Sequence, residues 1–211
     1  MRLCIISAIL FLGFTTLASG QILIRGTTKI STDGITSDST NKSPNKDFER
    51  RIKLAPIDKT NSEIEIRFYN LKALSNTRNL KIVKLKDGKW TATEYNEWNK
   101  PAKIKKYHLS STTDLESFTV KLLLQNLAKL PEQDQLRDKM KKSSEVNGKK
   151  METGISVVDG DSYTVEFKLG KNFRIYQFDN PDVYARFYDN VSELKNYVAI
   201  KDLFEKELSR K

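Results

Sequence analysis

Cysteine is nearly missing from this chain. The one present, Cys4, sits in the apolar stretch at the N-terminus, so beyond that stretch no disulfide framework, thiolate nucleophile or thiolate metal site can form. Histidine is equally scarce. His108 stands alone in "KKYHLSS", with no G-x-S-x-G elbow in the chain and no base-orienting pattern beside it, which marks it as an ordinary strand-end residue. A zinc site would have to rely almost wholly on carboxylates. Neither G-x-x-x-x-G-K-[ST] nor G-x-G-x-x-G occurs, so nucleotide chemistry has no motif to rest on. "VDGDSY" (Val158 to Tyr163) spaces Asp159 and Asp161 like a fragment of a calcium loop, but the further ligands are missing and a turn before a strand explains it better. The sequence calls for no cofactor.

Long hydrophobic runs are absent after residue 17. Before it, Arg2 supplies a positive start, Leu3 to Leu17 is almost continuously apolar, and Ala18-Ser19-Gly20 ends the stretch in small residues. That is the tripartite pattern of a secretory signal, which places a leader at 1–20, a mature start at Gln21 and the product in a secreted or periplasmic location. The run is shorter than the roughly 20 residues a membrane helix needs, so no transmembrane anchor is expected. Gln21 stands where a lipoprotein would carry cysteine.

The formal charge is +10, falling by one once Arg2 is removed, and 10 Phe and 8 Tyr among 38% apolar residues support a globular domain over disorder. The lysines are spread along the chain. Their densest cluster, Arg137 to Lys150, has no interleaved rings on which bases could stack, so no specific nucleic-acid partner is expected.

Polar, small residues dominate Gly26 to Lys46, which predicts a flexible leader over 21–50 and a globular domain over 51–211. "SEIEIRFYN" alternates Ile64, Ile66 and Phe68 with charged residues, as a half-buried strand does. Asp87-Gly88 separates two further alternating runs and predicts a hairpin. "KIKKYHLS" adds a strand, and "STTDLESFTVKLLLQNLAKL" a helix capped by Thr113 or Asp114 and closed by Pro131. "PEQDQLRDKMKK" follows as a weaker helix with Pro at its start, and "KMKKSSEVNGKKMETG" as an exposed loop. "SYTVEFKLGKNFRIYQF" repeats the hairpin grammar around Gly170-Lys171, with helices after Asn180-Pro181 and Ser192.

The fold class expected is α+β, with antiparallel β-hairpins forming one or two small sheets and helices packed on one face. Two hairpin-plus-helix halves, 51–145 and 146–211, are a further possibility. The core list is Ile64, Ile66, Phe68, Val165, Phe167, Phe118, Leu122 and Leu127. Lys201 falls on an apolar helix face, with its stem packed and its ammonium reaching outward.

The ring-rich "YQFDNPDVYARFYD" is explained mainly as a strand-to-helix seam, with Asn180 as side-chain cap and Tyr184 and Phe187 on the sheet. Tyr184 and Tyr188 remain candidate ligand contacts because their hydroxyls need partners. Trp90 and Trp98 share one strand face with Tyr95 opposite, and Trp98, near a turn, is the third candidate. Glu94, Glu97, Asp179 and Asp182 lie near aromatic residues, as a glycosidase pair would. The functional expectation is an exported soluble non-enzymatic binding or interaction protein, with an unknown protein or polysaccharide partner in the envelope. The alternative is a carboxylate-based hydrolase acting on a polysaccharide.

Overall fold

A computed structural model of the chain describes residues 21–24, 28–31, 35, 43–75, 77–99 and 102–211. The signal-like segment 1–20 lies outside them. Along the described chain run β1 (Gln21–Ile24), β2 (Thr28–Ser31), α1 (Lys46–Arg51), a 3-10 turn at Ile57–Lys59, β3 (Ile64–Lys72), β4 (Thr77–Lys86), β5 (Lys89–Asn99) and β6 (Ala102–Ser111). They continue through α2 (Leu115–Leu124), a 3-10 turn at Gln133–Leu136, β7 (Lys142–Val146), β8 (Lys149–Thr153), β9 (Asp161–Leu169), β10 (Asn172–Asp179), α3 (Pro181–Phe187), α4 (Ser192–Lys206) and β11 (Leu208–Arg210). The fold is α+β.

One seven-stranded antiparallel sheet, ordered β10-β9-β3-β4-β5-β6-β11, dominates the structure, and β1-β2 and β7-β8 are separate two-stranded ribbons. β9 pairs with β3 from Ile64↔Leu169 to Lys72↔Asp161, so strands from either side of residue 145 form neighbouring rows of one sheet. Asp87-Gly88 and Asn147-Gly148 both take positive φ at the two turn residues, the backbone that two-residue hairpins require. The second of these turns replaces the loop expected over 139–154 with β7-β8.

Alternation sets the two faces of the sheet. Ile64, Ile66, Phe68, Val83, Val165, Phe167, Tyr176 and Phe178 belong to the main core together with Phe118 and Leu122 of α2 and Leu194, Tyr197, Ile200 and Phe204 of α4. All eight residues expected in the core are buried. An aromatic file runs through it: Phe204 stacks on Phe68 at 4.5 Å, Phe68 meets Tyr163 at 5.4 Å, Tyr163 stacks on Phe178 at 5.2 Å, and Phe178 on Tyr197 at 4.7 Å. Tyr197 and Phe204 are two helical turns apart, so both ends of the file belong to α4 and clamp it across three strands.

Several boundaries differ from the sequence reading. α2 is capped by Asp114, whose carboxylate accepts the Ser117 N–H at 2.8 Å, but it stops at Leu124 and not near Pro131. Asn126 turns left-handed (φ 59), and Leu127 and Leu130 beyond it still reach the core, which is why apolar spacing alone carries the helix too far. The run after Pro131 keeps only the short 3-10 turn. The leader also contributes structure: Ile35 is buried in the main core, and α1 begins at Lys46 with Phe48 fully buried. An isolated Ile in a polar run and one Phe beside charges are weak signals, so the composition hid both.

α1 covers the opposite side of the sheet. Phe48 packs there with Tyr69, Leu80 and Ile82, joined by Ile52, Leu54 and Tyr95. Helices therefore lie on both faces, α2 and α4 on one and α1 on the other, which corrects the one-face expectation. Asn180 differs too. It sits left-handed (φ 44, ψ 48) with no side-chain cap, and its Oδ1 instead accepts the Asp161 N–H at 2.9 Å, tying the start of α3 back to β9. Lys201 is mostly covered and pairs with Asp182 at 2.6 Å and Asp202 at 3.2 Å, so it pins α3 to α4.

Candidate binding site

Of the three residues singled out as ligand contacts, Tyr184 and Tyr188 meet each other and Trp98 stands apart on β5. Trp98 shares its sheet face with Trp90, as alternation requires, and pairs across to Thr77 and Lys103. It borders a shallow depression with Arg51, Glu97 and Ile104. Tyr184 and Tyr188 stack on each other at 6.3 Å beside α3. Tyr188 is buried, and its hydroxyl accepts the Ile155 N–H at 3.1 Å, so the partner it needs is backbone.

The four acids near aromatics are also dispersed. Glu94 and Glu97 occupy opposite faces of β5, Glu94 accepting from Arg210 at 2.5 Å and Glu97 from Arg51 at 2.7 Å. Asp182 is held by Lys201, and Asp179 ends the edge strand β10. His108, on β6, pairs across to Thr93 of β5. Among the described residues no group of three or more His, Cys, Asp or Glu could hold a metal ion.

A different constellation sits under α1. Arg67 on β3 has no solvent exposure, and its guanidinium is divided among three carboxylates: Nε donates to Glu65 at 2.8 Å, while Nη1 donates to Glu49 at 3.0 Å and to Glu166 at 3.1 Å. Its remaining arm, Nη2, reaches the Ala55 carbonyl at 2.6 Å. Tyr69 donates to Glu49 at 2.5 Å, and Ser62 to Glu65 at 2.7 Å. One buried cation thus joins α1, β3, β9 and the segment after α1. Such a cluster gains little over an apolar core, but removing one member leaves the others uncompensated.

Charge inside the cluster is unevenly shared. Burial works to raise the Glu65 carboxyl, yet Arg67, Ser62 and Lys84 together outweigh it and hold Glu65 below the ordinary carboxylate range. Glu166 goes the other way. Burial, aided by Glu49 and opposed by Arg67, pushes it up to about 7, and its Oε1 is buried without a hydrogen-bond partner among the described residues. Desolvation wins there because a single guanidinium serves three acids.

Next to this cluster lies a cavity of about 610 Å³. Its floor is Phe173 and Ile175 of β10, one wall is Leu54, Pro56 and Ile57, and the rim carries Lys46, Arg50 and Lys59 together with Asp58. Glu49 faces it from α1, and Ile175 is the cross-strand neighbour of Glu166. The cavity wall is fixed from behind: Arg67 holds Ala55, and Lys168 donates to the Thr60 carbonyl. Arg50 and Lys59 pair with Asp47 and Asp58 at 2.9 and 3.4 Å, both surface contacts that water weakens. Sequence reading missed the site because all of α1 but Arg51 was assigned to the leader and no element was expected between it and β3. The available signal was Arg67 and Glu166, opposite charges at outward-reading strand positions.

Comparison with known proteins leaves the geometry to speak for itself. No family model matches the chain, nor does any curated protein or solved structure.

Proposed function

We propose that the chain is an exported, non-enzymatic binding protein that takes a small amphiphile, an apolar body with an anionic head, in the cavity between α1 and β10. The observation that carries this reading is the division of that cavity into an apolar floor and wall and a charged rim in which Lys46, Arg50 and Lys59 outnumber the lining acids Glu49 and Asp58. Its volume falls in the range typical of small-molecule sites, which are mostly apolar with a few placed polar groups. Phe173, Leu54, Pro56, Ile57 and Ile175 would take the body. Lys46, which has no ion pair among the described residues, and Arg50 and Lys59, whose surface pairs are readily exchanged, would take the head.

The dispersed acids favour binding over hydrolysis. Glu94, Glu97 and Asp182 are each committed to a cation, and the three acids that do converge are buried and occupied by Arg67. Export rests on the N-terminal pattern of Arg2, the apolar run and Ala18-Ser19-Gly20.

Anilinonaphthalene sulfonate has both parts of such a ligand and reports its own burial by fluorescence. Titration should give a saturable signal that dodecanoate displaces. Phe173→Asp should weaken it by about tenfold or more, since a carboxylate on the floor must be desolvated. An unchanged titration for a folded Phe173→Asp protein would refute the assignment.

A further inference from the structure

The two borders of the large sheet are finished differently. β10 is flanked by the 3-10 turns at Ile57–Lys59 and Gln133–Leu136, and the Gln133 side chain accepts the Asp179 N–H at 2.7 Å. At the other border β11 is only three residues long and covers β6 from Ser111 to Leu109. Beyond that, Lys211 donates its N–H to the His108 carbonyl at 3.1 Å.

Backbone groups of a strand alternate sides with a period of two. His108 faces β11, so Lys106 and Ile104 turn their N–H and C=O groups the same way, while Tyr107, Lys105 and Lys103 turn theirs to β5. No described strand meets Lys106 or Ile104. Residues 102 to 106 and His108 are exposed.

We infer that the Ala102–Tyr107 edge of β6 is a docking surface for an acidic, extended peptide that adds to the sheet as a further strand in line with β11. The backbone supplies the ladder, as in other cases of strand addition. The side chains supply the selection. Lys103 and Lys105 project on one face and Lys106 on the other, where its ammonium lies 5.6 Å from the centre of the Tyr95 ring. None of the three has an ion pair among the described residues, and the nearest acids are committed, Glu94 to Arg210 and Glu97 to Arg51. Carboxylates on an added strand would stand opposite these lysines as favourable cross-strand pairs. A second copy of the same edge would set lysine against lysine, which is how edge lysines prevent self-pairing. The excess of basic residues in the chain also draws acidic partners.

Amide hydrogen exchange followed by NMR tests this, with a peptide of alternating Glu and Thr as the probe. In the free protein the Ile104 and Lys106 amides should exchange fast while those of Lys105 and Tyr107 are protected. Saturating peptide should slow Ile104 and Lys106 by about tenfold or more, since a new hydrogen bond must open first. The triple variant Lys103→Glu, Lys105→Glu, Lys106→Glu should lose binding and keep its melting temperature, because exposed charges contribute little to folding. Four results would each overturn the inference: Ile104 and Lys106 already protected in the free protein, peptide bound with no new protection there, equal binding of an alternating Lys and Thr peptide, or sedimentation as a dimer joined at this edge.

Discussion

The two faces of the central sheet solve the same problem with opposite materials. On the side of α2 and α4, alternate residues of β3, β9 and β10 are apolar and aromatic, and burial is the main force that drives the helices down. On the side of α1, the positions in between are Glu65, Arg67, Tyr69 and Glu166, all buried. The first face owes its strength to area and tolerates changes of shape. The second depends on Arg67 keeping its charge among the acids that share it. It is also the face that carries the cavity, which suggests why a costly arrangement is kept: hydrogen bonds with fixed directions position a wall better than non-directional contacts do.

Arg67→Met should separate the faces most sharply. It leaves Glu49, Glu65 and Glu166 buried without their shared cation, a change that costs about 3–5 kcal/mol and lowers the melting temperature by roughly 10 °C in a chain of this size. Acid should return part of the loss by protonating the stranded carboxylates. Phe68→Ala on the other face should cost a similar 3–5 kcal/mol through the cavity it leaves between Phe204 and Tyr163. Its loss should not vary with pH. Thermal melts of both variants at pH 5 and pH 8 decide the matter, and equal pH dependence in the two would remove the distinction.

Glu166 allows a finer test. Its folded-state carboxyl titrates at about 7 against an ordinary value of 4.5, so the folded protein holds a proton that the unfolded chain releases. Its contribution is therefore complete below the unfolded value and is lost as pH rises from about 4.5 through 7. The full penalty at high pH is on the order of 3 kcal/mol. Glu166→Gln keeps the shape without the charge and should flatten stability between pH 5 and 8, leaving the variant the more stable at pH 8. Denaturant titrations at the two values measure this directly. A variant as pH-dependent as the parent would place the proton elsewhere.

These contrasts also explain what could be read in advance. The apolar face was legible because Ile64-Glu65-Ile66-Arg67-Phe68 alternates cleanly and a half-buried strand needs nothing more. That pattern equates charge with solvent, so Glu65 and Arg67 read as exposed when α1 in fact covers them. Phe48 is the only apolar side chain in α1, too few for a helical period to appear. The cavity was hidden more deeply, since it forms where Ser43 to Lys59 crosses β10, a contact between segments more than a hundred residues apart. Trp98, Tyr184 and Tyr188 drew attention as rings with polar atoms, yet the hydroxyl of Tyr188 is taken up by the backbone of Ile155. Ring chemistry shows what a residue can bind and not where its neighbours are.

The smallest effect lies at the junction of β9 and α3, where neither face dominates. Asn180 is left-handed, which Asn tolerates better than most residues, and its amide occupies the space beside Gly160. A Cβ at Gly160 would collide with that amide, although the glycine itself has no positive φ. The two positions are therefore coupled by contact and not by backbone strain. Asn180→Gly keeps the left-handed backbone, removes the hydrogen bond to the Asp161 N–H and should cost about 1 kcal/mol. Gly160→Ala should cost more in the parent than in the Asn180→Gly background, where the room has been vacated. A double-mutant cycle should give a coupling of roughly 0.5–3 kcal/mol, with the double variant more stable than additivity allows. Additive losses would mean that Gly160 is required for its own turn, and that the Asn180 side chain can move aside without giving up its bond to Asp161.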